Sequence, residues 1–194
     1  IVLLLIWMIK LKRDIKLQAI HKSKLLYDAE HDSLTGLANG TLLMDRLSQS
    51  IKNAKRFKKK IAILYLGIDD FKAFNDTHGL TTGDYILKKL SKNLQTTLRD
   101  SDTVARIGGD EFIIILDHFE NTAFIRLVID KIMKLANTPI AFHEQEIKVP
   151  FSLGASVYPD DDLNPKIILE NASFAMHKVK ANGKNNYQFY TKEF

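Results

Sequence analysis

Ile61 to Ile68 (IAILYLGI) is an unbroken apolar run between polar flanks. Its length suits a strand, and the lack of polar alternation reads as a strand buried on both faces. Such a strand needs cover, and the surrounding periodicity supplies helices. One is expected over about residues 41–58, with Leu42, Leu43, Leu47, Ile51 and Ala54 as its buried stripe. A second is expected over about 82–98, with Ile86, Leu87, Leu90, Leu94 and Leu98 inside, and others over about 122–136 and 166–180. Thr103–Ile107 and Glu111–Leu116 flank Gly108-Gly109, a hairpin signal because glycine tolerates the positive φ of tight turns. Residues 146–149 and 151–157 read as strands interrupted by Pro150, and residues 187–190 as a last strand after a helix stop at Gly183. Crossovers and hairpins alternate in this order. The expected fold class is therefore an α/β (α+β) sandwich, with a central mixed or antiparallel sheet surrounded by helices, rather than a doubly wound parallel sheet.

A chain of 194 residues suits one ordinary domain plus an extra element. It has no cysteine, which excludes a disulfide scaffold and a cysteine-ligated zinc site. Much of the +5 net charge falls in one run, Lys52, Lys55, Arg56, Lys58, Lys59 and Lys60. This reads as the solvated end of a helix. Only Phe57 is interleaved with it, so no stacking platform for nucleic acid is expected. His21, His78, His118 and His143 show no metal-like spacing.

Residues 1–9 (IVLLLIWMI) are all apolar, and Lys10, Lys12 and Arg13 follow. Nine residues are too few to cross a bilayer, which takes about 20. Apolar residues ahead of the basic ones are the reverse of a signal peptide. The reading is the end of a truncated transmembrane helix, with the basic flank placing the remainder on the cytoplasmic face of a membrane. From 10 to about 30 the pattern is helical. Leu4, Leu11, Gln18 and Leu25 recur every seven residues, with Met8 and Ile15 between, a short seam suited to a parallel helix pair. The expected organisation is thus a membrane-helix end at 1–9, a juxtamembrane dimerisation helix at 10–30 and one domain at 31–194.

Three clusters can carry chemistry: GIDDFKAFND (67–76) directly after the buried strand, Gly83-Asp84 opening a helix, and RIGGDEF (106–112) on the hairpin. Gly108 and Gly109 let a ligand approach the backbone closely, and Asp110 and Glu111 follow at once. A strand end bearing acids beside an acidic hairpin suits a divalent cation with a nucleotide triphosphate, since Mg²⁺ takes hard oxygens from one or two carboxylates and from phosphates. Any one cluster alone is ordinary turn chemistry.

Together, HDSLTGLAN, DFKAFND, the Gly-Asp pair at 83–84, RIGGDEF, FSLGASVYP and AMHKVKANGKN stand in the order found in the GGDEF (diguanylate cyclase) family, which the chain resembles from about His31 to its end. The resemblance implies a cyclase- or palm-like fold and a homodimer of domains meeting head to head, each holding one GTP. Each 3′-hydroxyl attacks the other α-phosphate, yielding cyclic di-GMP with Mg²⁺ (or Mn²⁺) as cofactor. It assigns Asp110 as metal-binding acid and helper in deprotonation, Glu111 as second signature acid, and the Ile68 carbonyl as a further metal ligand. It assigns Asn75 and Asp84 as guanine readers. Lys72, Lys180 and Lys184 become phosphate cations, and the backbones of Asp70 and Phe71 phosphate donors. Arg99 and Asp102, an RxxD motif ending ahead of the signature, match the family's inhibitory product site.

The sequence also departs from that family. The usual D-x-D-x-F-K reads Gly67-Ile68-Asp69-Asp70-Phe71-Lys72, so a metal-binding Asp has become Gly67. By analogy with removing one preorganised charge-stabilising group, the expected loss is ~10²–10³ in rate or more. Asp69, two residues on, is the candidate substitute carboxylate. Gly40, Leu80, Ser173 and His177 are milder departures. The alternative function is therefore a degenerate regulatory module that binds GTP or cyclic di-GMP. The ending NNYQFYTKEF resembles the junction to an EAL phosphodiesterase domain, which would be the adjacent partner.

Overall fold

A computed structural model describes residues 2–119 and 121–192, the side chains of residues 2–6, 8 and 9 excepted. The expected membrane-helix end at 1–9 thus lies largely outside the described side chains. Among the described residues no helix is long and apolar enough to cross a membrane.

The first helix, α1 (Val2–Glu30), carries Leu11, Ile15, Leu17, Ile20, Leu25 and Leu26 exposed. Helix α2 (Gly40–Phe57) begins at Asn39, whose side chain accepts the backbone N–H groups of Thr41 and Leu42. Of its expected stripe, Leu43, Leu47 and Ala54 are buried, while Leu42 and Ile51 sit at the margin. Strand β1 (Lys60–Ile68) is the apolar run and is buried from Ile61 onward.

Two helices follow where one was expected: α3 (Phe71–His78) and α4 (Leu80–Thr97), divided at Gly79 with φ +83°. Helix α3 spans barely two turns, too short for a periodic signal, and it is anchored by burial of Phe71. The hairpin pairs β2 (Thr103–Gly108) with β3 (Glu111–Phe119). Helix α5 (Thr122–Asn137) leads into β4 (Ile140–Phe142) and β5 (Gln145–Ile147), which form a small separate sheet. Strand β4 carries no pattern of its own and was not anticipated. Strand β6 (Phe151–Tyr158), helix α6 (Pro165–Ala181) and strand β7 (Tyr187–Phe189) complete the chain.

The main sheet runs β2-β3-β1-β6-β7, antiparallel throughout except for the parallel β6–β7 pair. The expectation of a mixed sheet covered by helices holds. Alternation along β1 sends Ala62, Leu64, Leu66 and Ile68 into a core shared with α4 and α5, and Ile61, Ile63 and Tyr65 into one shared with α2 and α6. Each fully buried Leu or Ile contributes about 1.5–3 kcal/mol. Position 67 belongs to the second face, so its environment is set by α6. That helix lies hard against the sheet: a Cβ at Gly154 would overlap the backbone of Ala172 and Met176.

Candidate functional site

The site forms where β1 ends and β3 begins. Gly67 lies between Glu111 on β3 and Ser152 on β6. The Ile68 N–H donates to the Asp110 carbonyl at 3.2 Å, which ties the strand end to the hairpin. The turn itself has Gly108 at φ +147° and Gly109 at φ +49°, as the glycine pair predicts. Arg106 shapes it from behind. Its guanidinium donates to the Gly109 carbonyl at 2.7 and 3.1 Å and forks onto both oxygens of Asp32 at 3.0 and 2.9 Å. Burial pushes the Asp32 carboxyl up, but hydrogen bonds from Thr35 and Arg106 outweigh it and leave the group below its ordinary 3.8.

The two signature acids have different surroundings. Glu111 accepts the Tyr65 hydroxyl at 2.9 Å. Burial first, and then the Glu111 carboxylate, hold that phenol well above its ordinary 10. Asp110 instead faces Lys180, whose ammonium donates to the Ile68 carbonyl at 2.9 Å and to Asp110 Oδ2 at 3.5 Å. The lysine head also fills the space beside Gly67: a Cβ there would lie 2.8 Å from Nζ and 2.9 Å from Cε.

Asp69, the candidate substitute carboxylate, is engaged elsewhere. It is 6% exposed, accepting the Ser152 hydroxyl at 2.7 Å and the Asn185 N–H at 2.9 Å. Its N–H to the Pro150 carbonyl extends the β1–β6 register by one residue, and Ser152 stands opposite Gly67, so the carboxylate shares that face but has both oxygens occupied. Its carboxylate fastens β6 to the loop before β7.

Helix α3 starts beside these groups. Asp70 precedes it at φ +53° and no side chain caps it, so the first N–H groups of the helix, Phe71 among them, have no partner within the helix. Lys72 is exposed and makes no ion pair among the described residues. Lys184 is engaged with Asp70, both carboxylate oxygens at 2.7 Å. Asn75 on α3 reaches α4 at Gly83, and a Cβ at Gly83 would overlap its amide oxygen. That oxygen is buried with no hydrogen-bond partner among the described residues. Asp84 follows, exposed at the same junction.

A divalent cation fits the strand end poorly. Its expected donors there, Asp110 and the Ile68 carbonyl, both accept from the Lys180 ammonium. Glu111 accepts from Tyr65 through one oxygen, and position 67 has no side chain to add a carboxylate. Among the described residues no group of three or more His, Asp or Glu is placed to hold a metal ion.

Arg99 and Asp102 both border a cavity of about 260 Å³, with His31, Arg46 and Gln95. Arg99 lies over the Phe124 ring at 4.5 Å. Asp102 accepts the backbone N–H groups of Arg99 at 3.1 Å and Asp117 at 3.3 Å, and burial raises its carboxyl above the ordinary 3.8.

Residues 29–186 match the family described as "Diguanylate cyclase, GGDEF domain". The chain belongs to the GGDEF family. It is 36% identical over 165 residues to the cyclic di-GMP phosphodiesterase NbdA and 35% identical over 167 residues to the bifunctional diguanylate cyclase/cyclic di-GMP phosphodiesterase MucR, both of Pseudomonas aeruginosa. These matches cover 85% and 86% of the chain but only 21% and 24% of the relatives, so the chain spans under a quarter of their length. The GGDEF domain of TpbB (YfiN) from the same organism superposes with a TM-score of 0.80 at 30% identity, over 83% of this chain and 94% of that one. This GGDEF domain is thus closely related to diguanylate cyclases and belongs to cyclic di-GMP signalling, in a family that normally uses Mg²⁺.

The structure brings the strand end and the hairpin together, and sets Gly83 against Asn75 and Phe71 of α3. Sequence reasoning missed Tyr65, which sits inside an apolar run, and read Asp32 and Arg106 only as parts of motifs. It assigned Lys180 to phosphate without foreseeing its contacts with Ile68 and Asp110.

Proposed function

We propose that this GGDEF domain binds guanine nucleotide, GTP or cyclic di-GMP, as a regulatory module, with cyclase activity weakened or lost. One observation carries this reading: over Gly67, the Lys180 ammonium rests on Asp110 and the Ile68 carbonyl, the groups assigned to the metal. The guanine side supports retained binding. Asn75 packs on Gly83 next to the exposed Asp84, and a carboxylate can take the N1–H and amino protons of guanine. In this reading the α3 N-terminus and Lys72 hold phosphates, for a helix start attracts anions. Arg99 and Asp102 form a second, product-binding position.

The wider assembly belongs to the same proposal. The exposed apolar residues of α1 favour pairing with a second copy, and the basic residues at 10, 12 and 13 favour a membrane anchor with the domain on the cytoplasmic face. The names of NbdA and MucR favour an adjacent phosphodiesterase, an EAL domain in the sequence reading. The decisive experiment incubates the domain with GTP and Mg²⁺ or Mn²⁺ and separates the products, with Gly67→Asp run in parallel. The expected result is little or no cyclic di-GMP from the natural sequence and a gain from Gly67→Asp. Rapid synthesis by the natural sequence would instead make the domain a working cyclase.

A further inference from the structure

We infer that Lys180 is a tethered cation that takes over the charge-neutralising place at the strand end, so that this domain binds a guanine nucleoside triphosphate without a divalent ion. The inference rests on the nucleotide-binding reading above and adds to it the ionic requirement of the site.

Three observations converge on one point in space. The first is the donor set. The Ile68 carbonyl and Asp110 Oδ2 are hard oxygens that would suit a bound cation, and the cation they meet is the ammonium of Lys180, at 2.9 and 3.5 Å. The second is the room. Residue 67 faces α6, and the ammonium sits in the space its missing side chain leaves: a Cβ would stand 2.8 Å from Nζ, so the lysine head would have to shift. The glycine therefore does two things at once: it withdraws a carboxylate and opens the seat that the lysine occupies. The third is the fixing of α6. Its approach to β6 at Gly154 sets the height of Lys180, and Met176, one turn earlier, closes the other side of the seat, 3.2 Å from the same Cβ position.

The chemistry follows from the ammonium's three donors. Two point at Ile68 and Asp110, leaving one for a phosphate oxygen. Lys72, exposed on the first turn of α3 and without an ion pair among the described residues, supplies a second positive charge, and the uncapped N–H groups of α3 supply neutral donors. A divalent ion at the same oxygens would stand beside a like charge and would have to expel the lysine, with only Asp110 as a carboxylate to hold it. Glu111 offers little help, since Tyr65 holds it on the β1 side. Neutralising the phosphates is what a lysine can do. It does not coordinate a reacting hydroxyl and a phosphate at once, in keeping with binding that outlasts turnover.

The test is calorimetric titration of the 194-residue chain with GTP, once in EDTA and once in excess Mg²⁺, for the natural sequence, Gly67→Asp, Gly67→Ala and Lys180→Met. The natural sequence should bind with affinities within about threefold of each other in the two buffers. Lys180→Met should lose about tenfold or more in EDTA. Gly67→Ala, which crowds the seat without restoring a carboxylate, should weaken binding in EDTA, and Gly67→Asp should make binding about tenfold or more dependent on Mg²⁺. Titrating Mn²⁺ alone, followed by electron paramagnetic resonance, gives an independent reading: no uptake by the natural sequence, uptake by Gly67→Asp. GTP binding by the natural sequence that needs Mg²⁺ by tenfold or more would overturn the tethered cation while leaving nucleotide binding intact. No GTP binding in either buffer would overturn the nucleotide-binding reading itself.

Discussion

The two sides of the proposed nucleotide site differ. On the side proposed to read guanine, where α3 meets α4, Asn75, Gly83 and Asp84 keep the residue types that the resemblance assigns, and the Asn75 amide occupies the volume of the glycine's missing side chain. On the phosphate side, where β1 meets β3, the pieces have been rearranged. Gly67 has no carboxylate, Lys180 lies on the remaining oxygens, and Glu111 is bonded to a tyrosine from the core. In the proposed reading, recognition and chemistry sit on separate elements, so one can be altered while the other is kept. Binding draws on hydrogen bonds that the ground state already makes. Cyclisation also needs charge stabilisation that appears only in the transition state, and that part suffers first when a preorganised group is removed.

The comparison is broken most forcefully from the guanine side. Asp84→Ala should weaken GTP binding by about 10- to 100-fold, the worth of hydrogen bonds to a charged group, with little change for ATP. Equal losses for both nucleotides would show that Asp84 does not read the base. Gly83→Ala should cost about tenfold in GTP affinity, by displacing Asn75, along with about 1–3 kcal/mol of stability from overpacking. Urea unfolding beside the same titration separates the two effects.

On the phosphate side the expected changes are in ionisation. Glu111→Gln should bring the Tyr65 phenol down toward 10, though not fully to it, because burial is the larger cause. Ultraviolet titration of the phenolate reads this directly. With the phenol raised in the folded state, its share of stability is constant below pH 10 and lost as pH climbs above it.

Behind the hairpin, Asp32 behaves in the opposite sense. Its carboxyl is depressed by folding, so its contribution is present above pH 3.8 and lost as pH falls below that. Asp32→Asn should cost about 1–3 kcal/mol at pH 7 and flatten the acid limb of a stability profile measured by chemical unfolding. The smallest effect is expected from Lys184→Met. The pair with Asp70 is open to solvent, so the thermal midpoint should not move measurably.

Particular residues show why the sequence was legible where it was. The run at 61–68 could hardly be anything but a central strand, and Gly108-Gly109 between strand-like segments could hardly avoid a tight turn. Helix α3 was hidden because eight residues give no periodicity, and β4 because three residues pair only with β5. Asp69 misled for a different reason. Its N–H to the Pro150 carbonyl keeps the β1–β6 register, and its carboxylate reaches the Ser152 hydroxyl opposite Gly67, but both oxygens are taken by Ser152 and Asn185, partners that no local pattern shows. Tyr65 looked apolar because its hydroxyl only matters opposite Glu111, a neighbour 46 positions away in the chain.

The sequence by itself determined the buried central strand, the tight turn at the glycine pair and the order of the longer elements, because hydrophobic period and turn chemistry are local. The face that residue 67 takes, the approach of the polar clusters and the groups that touch at the site were decided only by the tertiary structure. Lys180 meets Ile68 across 112 residues, and that contact depends on how closely α6 packs on the sheet and on the room at Gly67, neither of which any local pattern encodes.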